Sequence, residues 1–131
     1  MATFKLSVVT PTGSVVDTEI DEVTLPGAQG EFGVLPSHQP ALIMLGGGLV
    51  TFRGPEGEDA LLVRGGVVEV RPDAVLVLTD RAERLDEVDA AEAQEILEAA
   101  NSDHGSDQVL DEATVLRLSA DRGYAEAALN Q

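Results

Sequence analysis

Short runs of apolar residues, interrupted by turn formers every several positions, fill the first two thirds of the chain. Phe4, Leu6 and Val8 alternate with Lys5 and Ser7, and Pro11-Thr12-Gly13 then turns the chain. Val15, Ile20, Val23 and Leu25 continue among acidic neighbours, the spacing of strands with one wet face. Ala41 to Leu45 is a compact apolar run that Gly46-Gly47-Gly48 is expected to end before Leu49 to Arg53 resumes. Gly54-Pro55-Glu56-Gly57 reads as a hairpin turn into Ala60 to Val63, and Gly65-Gly66 separates the next strand, Val67 to Arg71. Pro72-Asp73 turns that strand into Ala74 to Leu78. The expectation is an all-β sandwich of about ten strands.

The pattern changes after Thr79. Asp86 to Ala100 lacks Gly, Pro and Thr, and Leu85, Val88, Ile96 and Leu97 fall near one helical face. A polar turn is expected over Asn101 to Asp107, then a second helix with Asp111 as N-cap and with Val115, Leu118, Ala125 and Leu129 spaced by threes and fours. Gly123 should weaken that helix by about 1 kcal/mol relative to Ala. The fold class expected is therefore an all-β sandwich over residues 1–84 followed by an α-helical hairpin over 85–131. With few large apolar residues in the hairpin, its packing is expected to be marginal.

Composition narrows the function classes. The chain of 131 residues, 44% of them hydrophobic, suits one compact domain with a small appendage. A net charge of −16 repels nucleic acid and anionic lipid, and 3% aromatic residues offer no stacking platform. The helical part is the more acidic, with twelve acids against two bases, Arg117 and Arg122. No cysteine is present, so disulfides and thiolate metal sites are excluded. No apolar run approaches the ~20 residues that span a bilayer. The first residues form neither a signal peptide nor a transit sequence, so the protein is expected to stay in the compartment where it is made.

No catalytic set emerges. His38 and His104 lie in separate loops, no nucleophile elbow is visible, and the two glycine clusters lack the Lys-Ser or Lys-Thr of a phosphate loop. No metal and no cofactor are expected. The most specific stretch is Leu25 to Pro40, LPGAQGEFGVLPSHQP, where three glycines and three prolines alternate with apolar residues. It cannot continue a helix and reads as turn, short strand, turn. Glu31 and His38 are its candidates for meeting a partner. His38 is equally suited to an interface and to capping local backbone groups.

This stretch resembles the epsilon subunit of bacterial F-type ATP synthases. The resemblance extends through the VVTPTG turn and LVRGGVVEVRPDAVLVLTDRAERLDEVD to NSDHGSD, nearly the whole chain. It implies a non-catalytic rotor subunit, peripheral on the cytoplasmic face of the bacterial inner membrane, that binds the gamma subunit and the polar loops of the rotor-ring c subunits. It also implies a mobile helical hairpin that inhibits ATP hydrolysis when extended toward the catalytic beta subunit. Carried over by residue, Glu31 faces the rotor ring and His38 lies near gamma. Arg117 and Arg122 are the basic residues available for inhibitory contacts. Some relatives bind ATP through a motif at the start of the first helix, here Leu85-Asp86-Glu87-Val88-Asp89-Ala90. Asp89 stands where that motif has a phosphate-facing Arg, so ATP binding is expected to be weak or absent. The alternative class is a free-standing acidic β-sandwich module that binds a protein or small ligand.

Overall fold

The computed structural model describes residues 3–102 and 112–130. Among them, eight strands precede two helices: β1 (Phe4–Thr10), β2 (Gly13–Ile20), β3 (Glu22–Gly27), β4 (Gly30–Val34), β5 (Ala41–Gly54), β6 (Gly57–Arg71), β7 (Ala74–Leu78), β8 (Ala82–Arg84), α1 (Ala90–Ser102) and α2 (Glu112–Leu129). The hydrogen-bonded order is β2-β1-β7-β6-β5-β3-β4, with β8 added to β6. All pairs are antiparallel except β1 with β7.

Two long strands build both layers. The second half of β6, Val67 to Arg71, pairs with β7, whereas its first half pairs with β8 at Leu61 to Val63. β5 follows β6 along its whole length, and most of its pairing with β3 lies at Glu22–Thr24 against Thr51–Arg53. One layer is thus β2-β1-β7 with the adjoining halves of β6 and β5, and the other is β8, the remaining halves, β3 and β4. The sheet changes layer at Gly46–Gly48 and Gly65-Gly66.

Those glycines were expected to end strands. Instead they bend two continuous ones, which is why eight strands are found where about ten were expected. Gly48, Gly65 and Gly66 have φ of 150°, 76° and 128°, a region that residues with a Cβ seldom occupy. A Cβ on Gly66 would lie 1.9 Å from the Leu78 carbonyl oxygen. The chain can therefore turn the corner while keeping its ladder.

Between the layers lies a core of Phe4, Leu6, Val8, Ile20, Val23, Leu25, Val50, Leu61, Val63, Val68 and Val77, with further valines around it. Alternation sends Leu49 and Leu62, which are directly paired, to the opposite face. There they join a second cluster with Ala93, Ile96 and Leu97 of α1 and Tyr124, Ala125 and Ala128 of α2. The helices pack together as a hairpin folded against β5 and β6. The first helix starts later than its composition suggested. Leu85–Glu87 forms a single 3₁₀ turn, and the Asp89 carboxylate then caps α1 by accepting from the amides of Ala91 at 2.9 Å and Glu92 at 3.3 Å. Asn101 and Ser102 continue α1 rather than starting a turn. Asp111, the expected N-cap, and His104 lie outside the described residues.

Candidate functional site

Leu25 to Pro40 folds as a hairpin and a loop. Pro26 and Gly27 end β3, Ala28 and Gln29 make the turn, and Gly30 begins β4 at φ 136°. Glu31 pairs opposite Pro26, and its side chain is exposed. The Ala28 amide donates to the Met44 carbonyl at 2.9 Å, tying the turn to β5. His38 sits in the following loop, half-buried. Its Nδ1 donates to the Leu35 carbonyl at 2.5 Å, and its ring meets Phe4 edge-on at 5.1 Å. Nε2 is buried, with no hydrogen-bond partner among the described residues. One nitrogen thus performs the local capping that the sequence suggested, and the other is left unsatisfied by the described residues.

Beside this segment lies an apolar face that sequence reading did not single out. Leu42, Met44 and Leu78 are 74%, 50% and 48% exposed. The register sets Met44 beside Val67, Val67 beside Leu78 and Leu78 beside Val9, while Leu42, Glu69, Leu76 and Ser7 form the next row on the same face. Leu42, Ile43 and Met44 share a groove of about 370 Å³ with the Gly27–Gly30 turn and Leu116 of α2. The apolar face is therefore continuous with the Glu31 hairpin. Leu42 and Met44 alternate with Ile43, and that period was the available signal. Ala41 to Leu45 is apolar on both faces, so the sequence marked only a compact apolar run without an outward side.

A second constellation seats the hairpin. Arg64 of β6 pairs with Asp121 of α2 at 2.6 Å. Arg81 Nε donates to Glu83 at 2.5 Å and Arg81 Nη1 to Glu92 of α1 at 2.5 Å, while the Tyr124 hydroxyl of α2 donates to Glu83. Arg81 also lies 5.1 Å from the centroid of the Tyr124 ring. Burial, followed by the hydrogen bond and charge of Glu83, raises the Tyr124 phenol well above its ordinary value. The Arg81 hydrogen bond lowers the Glu92 carboxyl. Below these ties, a Cβ on Gly47 would lie 1.8 Å from the Ala120 carbonyl oxygen, and one on Gly123 would lie 2.3 Å from the Gly47 carbonyl oxygen. Gly123, read as a weak point in a helix, is where α2 touches β5 backbone to backbone.

The other candidates are dispersed. Arg117 is exposed on α2, and Arg122 donates to Asn101 of α1 at 3.1 Å. Leu85, Asp86 and Ala90 are exposed around the 3₁₀ turn and the start of α1, where Asp89 caps the helix. No group of three or more His, Cys, Asp or Glu residues that could hold a metal occurs among the described residues.

A two-layer sandwich that carries a docked helical hairpin, an exposed apolar face and a Gly- and Pro-rich loop beside it has the surfaces of a protein that works by contact with other chains. The chain belongs to the ATP synthase delta/epsilon chain family: the model of that family's β-sandwich domain matches residues 3–85. It is a non-catalytic rotor-stalk subunit of an ATP synthase complex. Among relatives named ATP synthase epsilon chain, that of Granulibacter bethesdensis is 34% identical, with 98% of each chain covered. That of Dehalococcoides mccartyi is 43% identical over 78% of this chain and 73% of its own. The fold also resembles a chain in the cryo-EM structure of the Euglena gracilis mitochondrial ATP synthase, OSCP/F1/c-ring, with a TM-score of 0.73 at 23% identity, covering 97% of this chain and 79% of that one. No helix among the described residues is long and apolar enough to cross a membrane.

Proposed function

We propose that the sandwich, residues 1–84, links the gamma subunit to the c subunits of the rotor ring, and that residues 85–131 form the regulatory part. The observation that carries this reading is the exposed apolar face of Leu42, Met44 and Leu78. A contiguous apolar patch on a chain with this much charge marks an interface. Gamma is its proposed occupant, with His38 in the adjoining loop near that contact. Glu31, on the adjoining β3–β4 hairpin, faces the polar loops of the ring, and the Pro and Gly frame resists bending as the rotor turns. In this reading the subunit lies on the cytoplasmic side of the bacterial plasma membrane and couples proton-driven rotation to ATP synthesis.

In the same reading, Arg117 and Arg122 supply the basic contacts through which an extended hairpin would meet the beta subunit. Nucleotide binding at Leu85–Ala90 is not part of it, because Asp89 offers a carboxylate that is already committed to two α1 amides.

Co-purification with gamma tests the proposal. The L42D/M44D variant should lose at least tenfold in gamma binding while its thermal stability stays near wild type, because both side chains already face solvent. Undiminished binding would exclude this face as the gamma seat.

A further inference from the structure

Two ties from different helices meet at one pair of residues on the sandwich. Arg81 immediately precedes β8, and Glu83 lies within it. Glu83 Oε1 accepts from Arg81 Nε at 2.5 Å and also from the Tyr124 hydroxyl of α2. The same guanidinium uses Nη1 to reach Glu92 of α1 at 2.5 Å. A guanidinium is planar and rigid, so its two forks cannot be aimed independently. Glu92 on one side and Glu83 on the other therefore hold Arg81 in a single orientation.

The geometry points to a shared latch: the Arg81–Glu83 pair couples the two helices, so that Glu92 on α1 controls whether Tyr124 on α2 stays seated. Without Glu92, Arg81 keeps one carboxylate partner and is free to swing toward solvent, carrying Glu83 away from the tyrosine hydroxyl. Tyr124 is 1% exposed, so its hydroxyl would then be buried without an acceptor and the docked position of α2 would lose stability. In the other direction, release of Tyr124 removes the ring over which Arg81 rests. The Arg64–Asp121 pair is a further tie to α2, and Arg64 adjoins the circuit: its guanidinium lies 5.9 Å from the centroid of the Tyr124 ring and its amide donates to the Arg81 carbonyl at 3.1 Å. The latch gives the hairpin one docking equilibrium where two separately packed helices would have two. It does not depend on which partner binds the sandwich.

Tyr124 is the chain's only tyrosine, and there is no tryptophan, so intrinsic fluorescence reports on this position alone. The test is acrylamide quenching of the full-length protein. E92Q should raise the quenching constant of Tyr124 at least threefold, whereas E95Q, an exposed change on the same helix, should leave it unchanged. R81Q should match E92Q, and the R81Q/E92Q double variant should exceed neither single one, because all three open the same circuit. Gly47→Ala, which drives β5 into α2, gives the fully undocked value for reference. The sandwich has its own core, and retention of its strand signal in circular dichroism shows that a rise comes from undocking. Wild-type quenching in E92Q, an equal rise in E95Q, or additive effects of R81Q and E92Q would overturn the proposal.

Discussion

Tyr124 has a polar tip and an apolar body, and the structure uses both. Its ring fills the cluster beneath the hairpin and its hydroxyl donates to Glu83. Burial first, and Glu83 second, favour the neutral phenol. An exposed tyrosine ionises near pH 10. Because the docked value is higher than the undocked one, the stabilisation is complete below about pH 10 and is lost as pH rises from there toward the docked value. Tyrosinate absorbance at 295 nm should therefore appear at higher pH in the native protein than in urea. Coincident titrations would mean that the phenol is not seated. Sequence periodicity had assigned the α2 face to Val115, Leu118, Ala125 and Leu129. Val115 is in fact half exposed, and the largest buried side chain of the helix is Tyr124. Neither Glu83 nor Arg81 could be chosen from their neighbours, since acids abound here and only contact distinguishes one from another.

Among the elements, the two helices are poor in large side chains, and from that the sequence implied marginal packing. Small residues instead allow closer approach. Ala93, Ala125 and Ala128 let α1 and α2 come together, and Gly123 lets α2 touch β5 at Gly47. Two effects of Gly123→Ala oppose each other. In an isolated helix the change gains about 1 kcal/mol in propensity. In the docked state the new methyl group would overlap the Gly47 carbonyl, and such overpacking costs about 1 to 3 kcal/mol or more where only backbone can yield. The second effect should win. Amide hydrogen exchange in α2 should accelerate in Gly123→Ala although helicity does not fall, and unchanged protection would show that the seam has slack. The strands carry a parallel lesson. Glycine clusters that look like strand ends in one dimension are bends in three, because a positive φ redirects the chain without unpairing the ladder.

For the molecule as a whole, the docked hairpin bears on regulation. The described α2 carries two arginines, one exposed and one bonded to α1, and four distinct ties hold the helices down. An inhibitory extension toward the beta subunit would have to break those ties and gain few basic contacts in return. Regulation by the extended hairpin should therefore be weak: removal of residues 85–131 from the assembled complex should raise ATP hydrolysis by no more than about twofold, roughly 0.4 kcal/mol on the scale where 1.4 kcal/mol is tenfold. A tenfold rise in hydrolysis on truncation would establish an inhibitory hairpin. The sandwich, with its separate core, should remain in the complex in either case.

The sequence by itself determined the order of elements, the sandwich core and the Gly- and Pro-rich segment at Leu25 to Pro40. Those features rest on local causes: the two-residue alternation of strands, the helical spacing after Asp86, and the backbone limits of Gly and Pro. Only the tertiary structure decided that β5 and β6 run through both layers, that Leu42 and Met44 face outward, and that Gly47 meets Gly123. It also decided which carboxylates, out of 24 acidic residues, hold Arg64 and Arg81. Such facts depend on pairs far apart in the chain, and no local propensity encodes a contact between residue 47 and residue 123. The stretch between Leu25 and Pro40 shows both levels together: its turns are written in its glycines and prolines, but its position beside the apolar face comes from the strand that follows it.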